Sequence, residues 1–276
     1  MPWEKKQMNN DLENFLASFS FAETTKETYR RILIKLPPSE NMDAADLLKF
    51  ISKPEWGNSQ RYVALCACRK FIAYLFGSNH PALSARIKRI KSKPQRTLTT
   101  NQALKLLASF NTHQAKGARD LSIAALALDT GLRLAELCRL RIKDIDLENR
   151  TLQIIVKGGQ WKAAVFSPQT AQYIREWLVF RKSNADEIFT STRTGNRLTR
   201  EGLQTIVKKW GKGIEIKLSP HDLRRSFATL ATIFGAPSRI VQAAGRWSNI
   251  EMVEHYTQGL NIDAIEPYFP VSRLTK

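Results

Sequence analysis

Acidic side chains are scarce in this chain. Its 276 residues carry 25 Asp and Glu against 43 Lys and Arg, a formal charge of +18 with a pI near 10. Between Trp56 and Arg119 the scarcity is complete, with no Asp or Glu at all. An imbalance of this size points to a polyanionic partner, nucleic acid or an anionic membrane. Cysteine is rare too. Cys66, Cys68 and Cys138 make no disulfide framework, and the four histidines have no zinc-ligand spacing relative to them. The Cys66-x-Cys68 pair lies in an apolar helical run and reads as small buried thiols. No apolar run approaches the roughly 18–20 residues of a membrane span, and the N-terminus has no apolar signal core. There is no phosphate-cradling Gly-rich lysine motif, no carboxylate cluster of metal-binding type, no internal repeat and no low-complexity segment. These absences set the expectation of a soluble, cytoplasmic protein with no membrane partner, no metal and no cofactor.

What is present is enough for folded cores. Apolar residues make up 43% of the chain, and at roughly 100–200 residues per domain its length predicts two domains. Both parts are basic: residues 1–98 carry 17 basic and 9 acidic side chains, and residues 99–276 carry 26 and 16. The acid-free span holds twelve cations: Arg61, Arg69, Lys70, Arg86, Lys88, Arg89, Lys91, Lys93, Arg96, Lys105, Lys116 and Arg119. A merely solvated helix face mixes signs to limit self-repulsion. Excluding one sign over a helix, a linker and the next helix fits a surface laid on phosphate, and Arg61 to Arg96 are the candidate DNA contacts.

The fold class read from the pattern is mainly α with a small antiparallel β insert. Leu12, Phe15, Leu16 and Phe19 recur at helical spacing. Thr24-x-x-Glu27 reads as a capping box opening a helix that Pro37-Pro38 stops. Asp43–Ile51 and Asn58–Phe76 complete a four-helix bundle, the last with Tyr62, Leu65, Phe71, Ile72 and Leu75 as its apolar stripe. The predicted domains are residues 1–90, a basic linker over 91–98, and a second domain over 99–276. Thr99-x-x-Gln102 caps the first helix of that second domain. Residues 118–128 and 133–140 read as helices around Thr130-Gly131. Thr151–Val156 and Ala163–Phe166 form a hairpin about Lys157-Gly158-Gly159. Ser167-Pro168 and Ser219-Pro220 each open a further helix.

Four signals in the second domain carry chemistry. Arg133 follows a glycine turn where a helix begins, in Thr130-Gly-Leu-Arg133-Leu-Ala-Glu136-Leu. Lys157 sits in the hairpin turn. In His221-Asp-Leu-Arg224-Arg225 the histidine and Arg224 share a helix face. Trp247 precedes Tyr256 by nine positions. Each alone has a plainer reading, as a surface arginine, a solvated lysine, a local hydrogen bond or a packing tyrosine.

Together, and in this order, they resemble the tyrosine recombinases, the phage-integrase family. The family pattern of Arg, Lys, His-x-x-Arg, His or Trp, and Tyr is filled by Arg133, Lys157, His221, Arg224, Trp247 and Tyr256. The resemblance covers the catalytic domain and extends more loosely to the N-terminal bundle, which looks like the family's SAM-like core-binding domain. It implies site-specific cleavage and rejoining of double-stranded DNA through a 3′-phosphotyrosyl intermediate, with neither ATP nor a metal. It also implies a nucleoid-associated protein acting as a homotetramer on two DNA sites.

The residue types suit that chemistry on physical grounds. In-line attack on a phosphodiester builds negative charge on two non-bridging oxygens. Two guanidinium forks, Arg133 and Arg224, match it by planarity and permanent charge. His221 can donate to the same phosphate or move a proton near neutral pH. Tyr256 is then the nucleophile, with nearby cations favouring its phenolate, and Lys157 the general acid for the leaving 5′ oxygen. Lys162 takes that place if the hairpin register is shifted.

The chain departs from the family's frequent Leu-Gly-His by having Ala-Gly-Arg246-Trp247. A tryptophan donates one N–H but carries no proton, so proton work falls to His221 and Lys157. Arg246 is then an extra cation near the site, Glu136 an orienting partner for the arginines, and Arg225 a phosphate or carboxylate partner. Asp222 reads as a first-turn carboxylate favoured by the helix dipole. The arm-binding domain of lambda-type members is expected to be missing. The C-terminal tail, with Leu260, Ile262, Ile265, Tyr268 and Phe269, docks on a neighbouring protomer or on its own domain. Integration or excision of a mobile element is the first expectation for the biological role. Xer-like dimer resolution comes second, because that branch generally has histidine where Trp247 stands. Type IB topoisomerase-like DNA relaxation and a non-catalytic DNA-binding protein compete with both.

Overall fold

The computed structural model describes residues 2–88, 95–155 and 159–257, apart from the side chains of 2–6 and 255–257. The chain divides into two compact units, Met1–Ser92 and Lys93–Lys276.

The first unit is a helical bundle of α1 (Pro2–Ser18), α2 (Glu23–Leu33), α3 (Ala44–Ile51) and α4 (Asn58–Phe76), followed by a 3-10 turn at Pro81–Ser84. Its core gathers Leu12, Phe15 and Leu16 of α1 with Ile32 and Leu33 of α2, Leu47 and Ile51 of α3, and Leu65, Phe71 and Ile72 of α4. Asp43 caps α3, accepting from the Asp46 N–H at 2.9 Å. Two details differ from the sequence pattern. α2 starts at Glu23 with Ala22 as its N-cap and no side-chain cap, so Thr24 lies inside the helix and its carbonyl accepts from Thr28 Oγ1 at 2.8 Å. Phe21, packed on Tyr29 and Phe15, fixes the chain's entry into α2 by apolar contact where a capping box was expected. On α4 the buried stripe runs through Ala64, Leu65, Ala67, Cys68, Phe71 and Ile72, while Tyr62 is exposed. Burial pushes the Cys68 thiol up to about 12, the inert state expected of it.

The second unit contains α5 (Thr100–Ala108), α6 (Ala115–Thr130), α7 (Leu134–Arg139), α8 (Pro168–Phe180), α9 (Arg200–Gly213), α10 (Pro220–Ile233), α11 (Ser238–Gly245) and α12 (Glu251–Thr257). Between α7 and α8 lies a three-stranded antiparallel sheet in the order β1 (Ile145–Asp146), β2 (Thr151–Ile155), β3 (Trp161–Val165). The register pairs Ile155 with Trp161 and Thr151 with Val165. Lys162 pairs with Ile154 and is therefore a strand residue.

α6 is the central helix, buried on every side from Ala118 to Ala127 and packed against α8 and α10. Arg119 on it is 4% exposed, so it leaves the basic surface assigned to it from sequence. Its Nε and Nη2 donate to Asp120 Oδ1 at 2.9 and 2.6 Å, its Nη1 to the Thr190 carbonyl at 3.2 Å, and Trp210 Nε1 donates to Asp120 Oδ2 at 2.9 Å. Enclosure of α6 by its neighbours turns this cation into an internal fastener. The expected helix starts are present. Thr99 accepts from the Gln102 N–H at 3.2 Å, and Ser167 accepts from the Thr170 N–H at 3.2 Å. No described helix is long and apolar enough to cross a membrane.

Candidate active site

The site begins where α6 ends. Gly131 takes the left-handed conformation at φ 59°, ψ 27°, which closes the helix and turns the chain. A side chain there would place its Cβ 2.6 Å from Phe227 Cδ1, so glycine is needed for conformation and for space. The turn delivers Arg133 to the N-cap of α7. Glu136, three residues on, accepts from the Arg133 backbone N–H at 2.7 Å through Oε2 and from Arg133 Nη1 at 3.0 Å through Oε1. Glu136 is buried, whereas the Arg133 side chain is 44% exposed. The carboxylate thus orients a cation that faces outward.

α10 supplies the second group. The Ser219 N–H donates to Asp222 Oδ2 at 2.8 Å, and Asp222 Oδ1 accepts from Arg225 Nη1 at 3.1 Å. Asp222 therefore caps the helix and takes up Arg225, so Arg225 is a carboxylate partner. Arg224 points inward. Its Nη1 donates to the Gly131 carbonyl, its Nη2 to the Gly245 carbonyl at 2.6 Å, and its Cζ lies 4.5 Å from the centre of the Trp247 ring. Two main-chain oxygens and one aromatic face fix the plane of this guanidinium. His221, one turn earlier, is exposed. Partial desolvation lowers its pKa from the ordinary histidine value; Arg225, Arg224 and Arg133 add to the lowering and Asp222 opposes it.

The third segment is the turn after α11. Trp247 is buried, stacks on Phe227 at 6.1 Å, and shares a small apolar cluster with Ala228, Val241 and Val253. Gly245 lies beneath its ring, since a Cβ there would sit 1.9 Å from Trp247 Cζ3. Arg246 closes α11 in the left-handed conformation, φ 58° and ψ 42°. Its side chain, 6% exposed, donates to the Thr130 carbonyl at 3.2 Å and the Ala244 carbonyl at 2.8 Å, and lies 3.7 Å from Glu136 Oε2. Burial lowers its pKa, with Glu136 opposing and Arg133 reinforcing the shift. The α12 backbone, packed on α10 and α11, carries position 256 one turn beyond the buried Val253.

The structure therefore gathers Arg133, His221, Arg224 and Trp247 from three separate segments. The Tyr256 side chain, Lys157 and the C-terminal tail lie outside the described residues. Sequence reasoning misses Phe227, which supports Trp247, although its i+3 spacing from Arg224 puts both on one helix face. Among the described residues no group of three or more His, Cys, Asp and Glu side chains is placed to hold a metal ion. Of the other basic candidates, Lys88 and Arg96 are exposed and Arg69 is half-buried. Arg61 donates to the Lys53 carbonyl at 3.1 Å, Arg86 to the Leu83 carbonyl at 2.7 Å, and Arg96 to the Lys217 carbonyl. The Lys70 ammonium is 5.8 Å from the Phe19 ring centre and 5.7 Å from that of Phe21. Arg89, Lys91 and Lys93 lie outside the described residues.

Residues 96–261, more than half of the chain, match the sequence signature of the Phage integrase family. The chain belongs to the phage integrase family. By family it is a tyrosine recombinase. Tyrosine recombinase XerC of Actinobacillus pleuropneumoniae serotype 7 (strain AP76) is 30% identical over 202 residues, which span 70% of this chain and 65% of that relative. XerC of Thermodesulfovibrio yellowstonii (strain ATCC 51303 / DSM 11347 / YP87) is 28% identical over 265 residues, 90% of this chain and 83% of the relative. Among solved structures, XerH bound to a palindromic difH substrate in a post-cleavage complex has a TM-score of 0.74 at 21% identity, covering 90% of this chain and 80% of that one. A lambda integrase (75–356) dimer bound to a COC′ core site has a TM-score of 0.76 at 16% identity, covering 94% and 97%. At these identities the structures establish the fold: mainly helical with a small antiparallel sheet, as the sequence pattern predicts.

Proposed function

We propose that this phage integrase family member cleaves and rejoins double-stranded DNA at specific sites through a 3′-phosphotyrosyl intermediate on Tyr256. The Tyr256 hydroxyl gives its proton to neutral His221 as its oxygen attacks the scissile phosphorus, the bond to the 5′ oxygen breaks, and that oxygen takes a proton from Lys157. A 5′ hydroxyl of the partner strand then gives its proton back to Lys157 and attacks the phosphotyrosine, and the tyrosine leaves with the proton held by His221, restoring the phosphodiester. One ester bond is exchanged for another, so the balance needs no nucleotide. Arg133 and Arg224 bind the non-bridging oxygens, His221 donates to the same phosphate, and the Trp247 indole supports Arg224 and the adjoining turn.

The observation that carries this reading is the convergence of Arg133 at the start of α7 with His221 and Arg224 of α10 beside Trp247, next to α12, which packs on α10 and α11. Three groups able to meet a phosphate in one place exceed what a non-catalytic DNA-binding surface requires. The N-terminal bundle then serves as core-binding domain, the span 91–98 as basic linker, and Arg61, Arg69, Lys70, Arg86, Lys88, Arg89, Lys91, Lys93 and Arg96 as backbone contacts. A homotetramer on two sites, held by the tail after Tyr256, and association with the nucleoid complete the proposal.

The test uses randomised duplexes nicked at staggered positions. A nick just beyond the scissile phosphate lets the freed 5′-hydroxyl fragment diffuse away and traps the covalent adduct. Wild type should give adducts stable to denaturing electrophoresis, and Tyr256→Phe none. Plasmids carrying two copies of the selected site should then yield recombinants, whereas relaxation alone would indicate a topoisomerase. For the biological role, Trp247 favours integration or excision of a mobile element. The curated relatives named XerC and XerA favour Xer-like dimer resolution as a second reading. Detection of an excised circular junction in cells supports the first, and its absence together with an accumulation of chromosome dimers on gene deletion supports the second.

A further inference from the structure

Arg246 is the least expected residue of the site. It is one of three non-glycine residues with positive φ among the described residues, and it occupies the helix-ending position at which glycine is ordinarily found. Its guanidinium is nevertheless buried, and its Nε–H has no hydrogen-bond acceptor among the described residues. A backbone held in a disfavoured region and a buried donor left over both need a compensating role. The contacts show where that role lies. Arg246 joins the Thr130 carbonyl, at the end of α6 just before the turn that carries Arg133, to the Ala244 carbonyl, in the last turn of α11 just before Trp247. It also lies 3.7 Å from the carboxylate that holds Arg133.

We propose that Arg246 is a positioning residue for phosphate capture: it shares the charge of Glu136, so that this carboxylate orients Arg133 without neutralising it. The charges make the case. Arg133 and Glu136 alone sum to zero, and a buried carboxylate 3.0 Å from the guanidinium would oppose an incoming phosphate. With Arg246 the trio carries +1, exposed only on Arg133 because the other two side chains are each 6% exposed. Arg246 thus acts through Glu136, from behind the phosphate-binding face. This inference rests on the proposed phosphotransfer reading and adds a residue that reading does not require.

The test is a double-mutant cycle on Arg246→Gly, Arg246→Lys and Glu136→Gln, scored by single-turnover adduct formation and by DNA affinity. Glycine suits the left-handed backbone, so Arg246→Gly leaves the turn unstrained. It should keep DNA affinity within a few fold while adduct formation slows about 10–100-fold, somewhat less than loss of a direct oxyanion donor. Arg246→Lys, which keeps the charge, should recover most of that rate. Glu136→Gln should be less harmful in the Arg246→Gly background than in wild type, because it removes the unshared negative charge. Equal effects of Glu136→Gln in both backgrounds, or a wild-type rate for Arg246→Gly, would overturn the proposal. If wild type itself formed no adduct on Tyr256, the functional reading would fail first. Wild-type cleavage alongside an unaffected Arg246→Gly would sink the Arg246 proposal alone.

Discussion

Gly245→Ala offers a sharp mechanical test of the site. Position 245 is not among the positive-φ glycines, so alanine is acceptable to the backbone and the effect is one of space. The new methyl would lie 1.9 Å from Trp247 Cζ3 and 2.3 Å from Cε3, well inside van der Waals contact, so the indole must move. That indole is 6% exposed, stacks on Phe227 and faces Arg224 at 4.5 Å. Overpacking of this kind destabilises by about 1–3 kcal/mol. Taking about 2 kcal/mol, the midpoint of thermal unfolding should fall by roughly 4–8 °C for a unit of this size. Displacing the ring also removes a desolvated cation–π contact of about 2 kcal/mol from Arg224, and if the guanidinium loses that much orientation in the transition state, cleavage slows by roughly 30-fold. Differential scanning calorimetry reads the first effect and single-turnover adduct formation the second. An alanine variant that melts and cleaves like wild type would refute the packing of Trp247 against Gly245 and its link to Arg224.

Other consequences are equally direct. Asp120→Ala should destabilise the second unit by about 3–5 kcal/mol in urea titration, because it strands the buried Arg119 charge; a loss below about 1 kcal/mol would show that Arg119 escapes to solvent. For His221 the folded pKa lies below the ordinary value. Its contribution to stability is therefore complete above the unfolded pKa near 6.5 and is lost as pH falls through the folded value. Neutral His221 should accordingly sustain cleavage below pH 6.5, and a His221→Gln variant should lose that acid limb; an identical pH profile would remove His221 from the titration. Neutralising Lys88, Arg89 and Lys91 to Gln should weaken binding to all DNA sequences and reduce the salt slope by about 0.9 per lost contact. An unchanged slope would take this segment off the DNA.

Local signals make much of the fold legible in the sequence. Thr99, Asp43, Ser167 and Ser219 mark helix starts because short polar side chains and first-turn carboxylates satisfy orphan N–H groups wherever they occur. The hairpin is visible as two β-branched or small-residue runs around glycines, and Glu136 as the i+3 neighbour of Arg133. What escapes depends on tertiary surroundings. Arg119 looks like surface because its neutralisation needs the carbonyl of Thr190 and the indole of Trp210, both distant in sequence. Two-residue β1 is too short to show a period. α9 does carry a signal, Thr199 before Leu203, Val207 and Trp210 at helical spacing, although the sequence pattern as read does not include it. Arg246 can be seen to be an additional cation, but its left-handed backbone and its burial against Glu136 follow only from the packing of α11 beside the α6–α7 turn.

Everything proposed for the site depends on Tyr256 becoming covalently joined to DNA beside Arg133, His221 and Arg224. Peptide mapping of the adduct trapped on a nicked duplex, by digestion and mass spectrometry, reads that bond itself. A single modified peptide carrying a 3′-phosphonucleotide on Tyr256 is expected, absent from Tyr256→Phe and strongly reduced in Arg224→Lys. An adduct on another residue, or one of wild-type yield in Tyr256→Phe, would overturn the assignment.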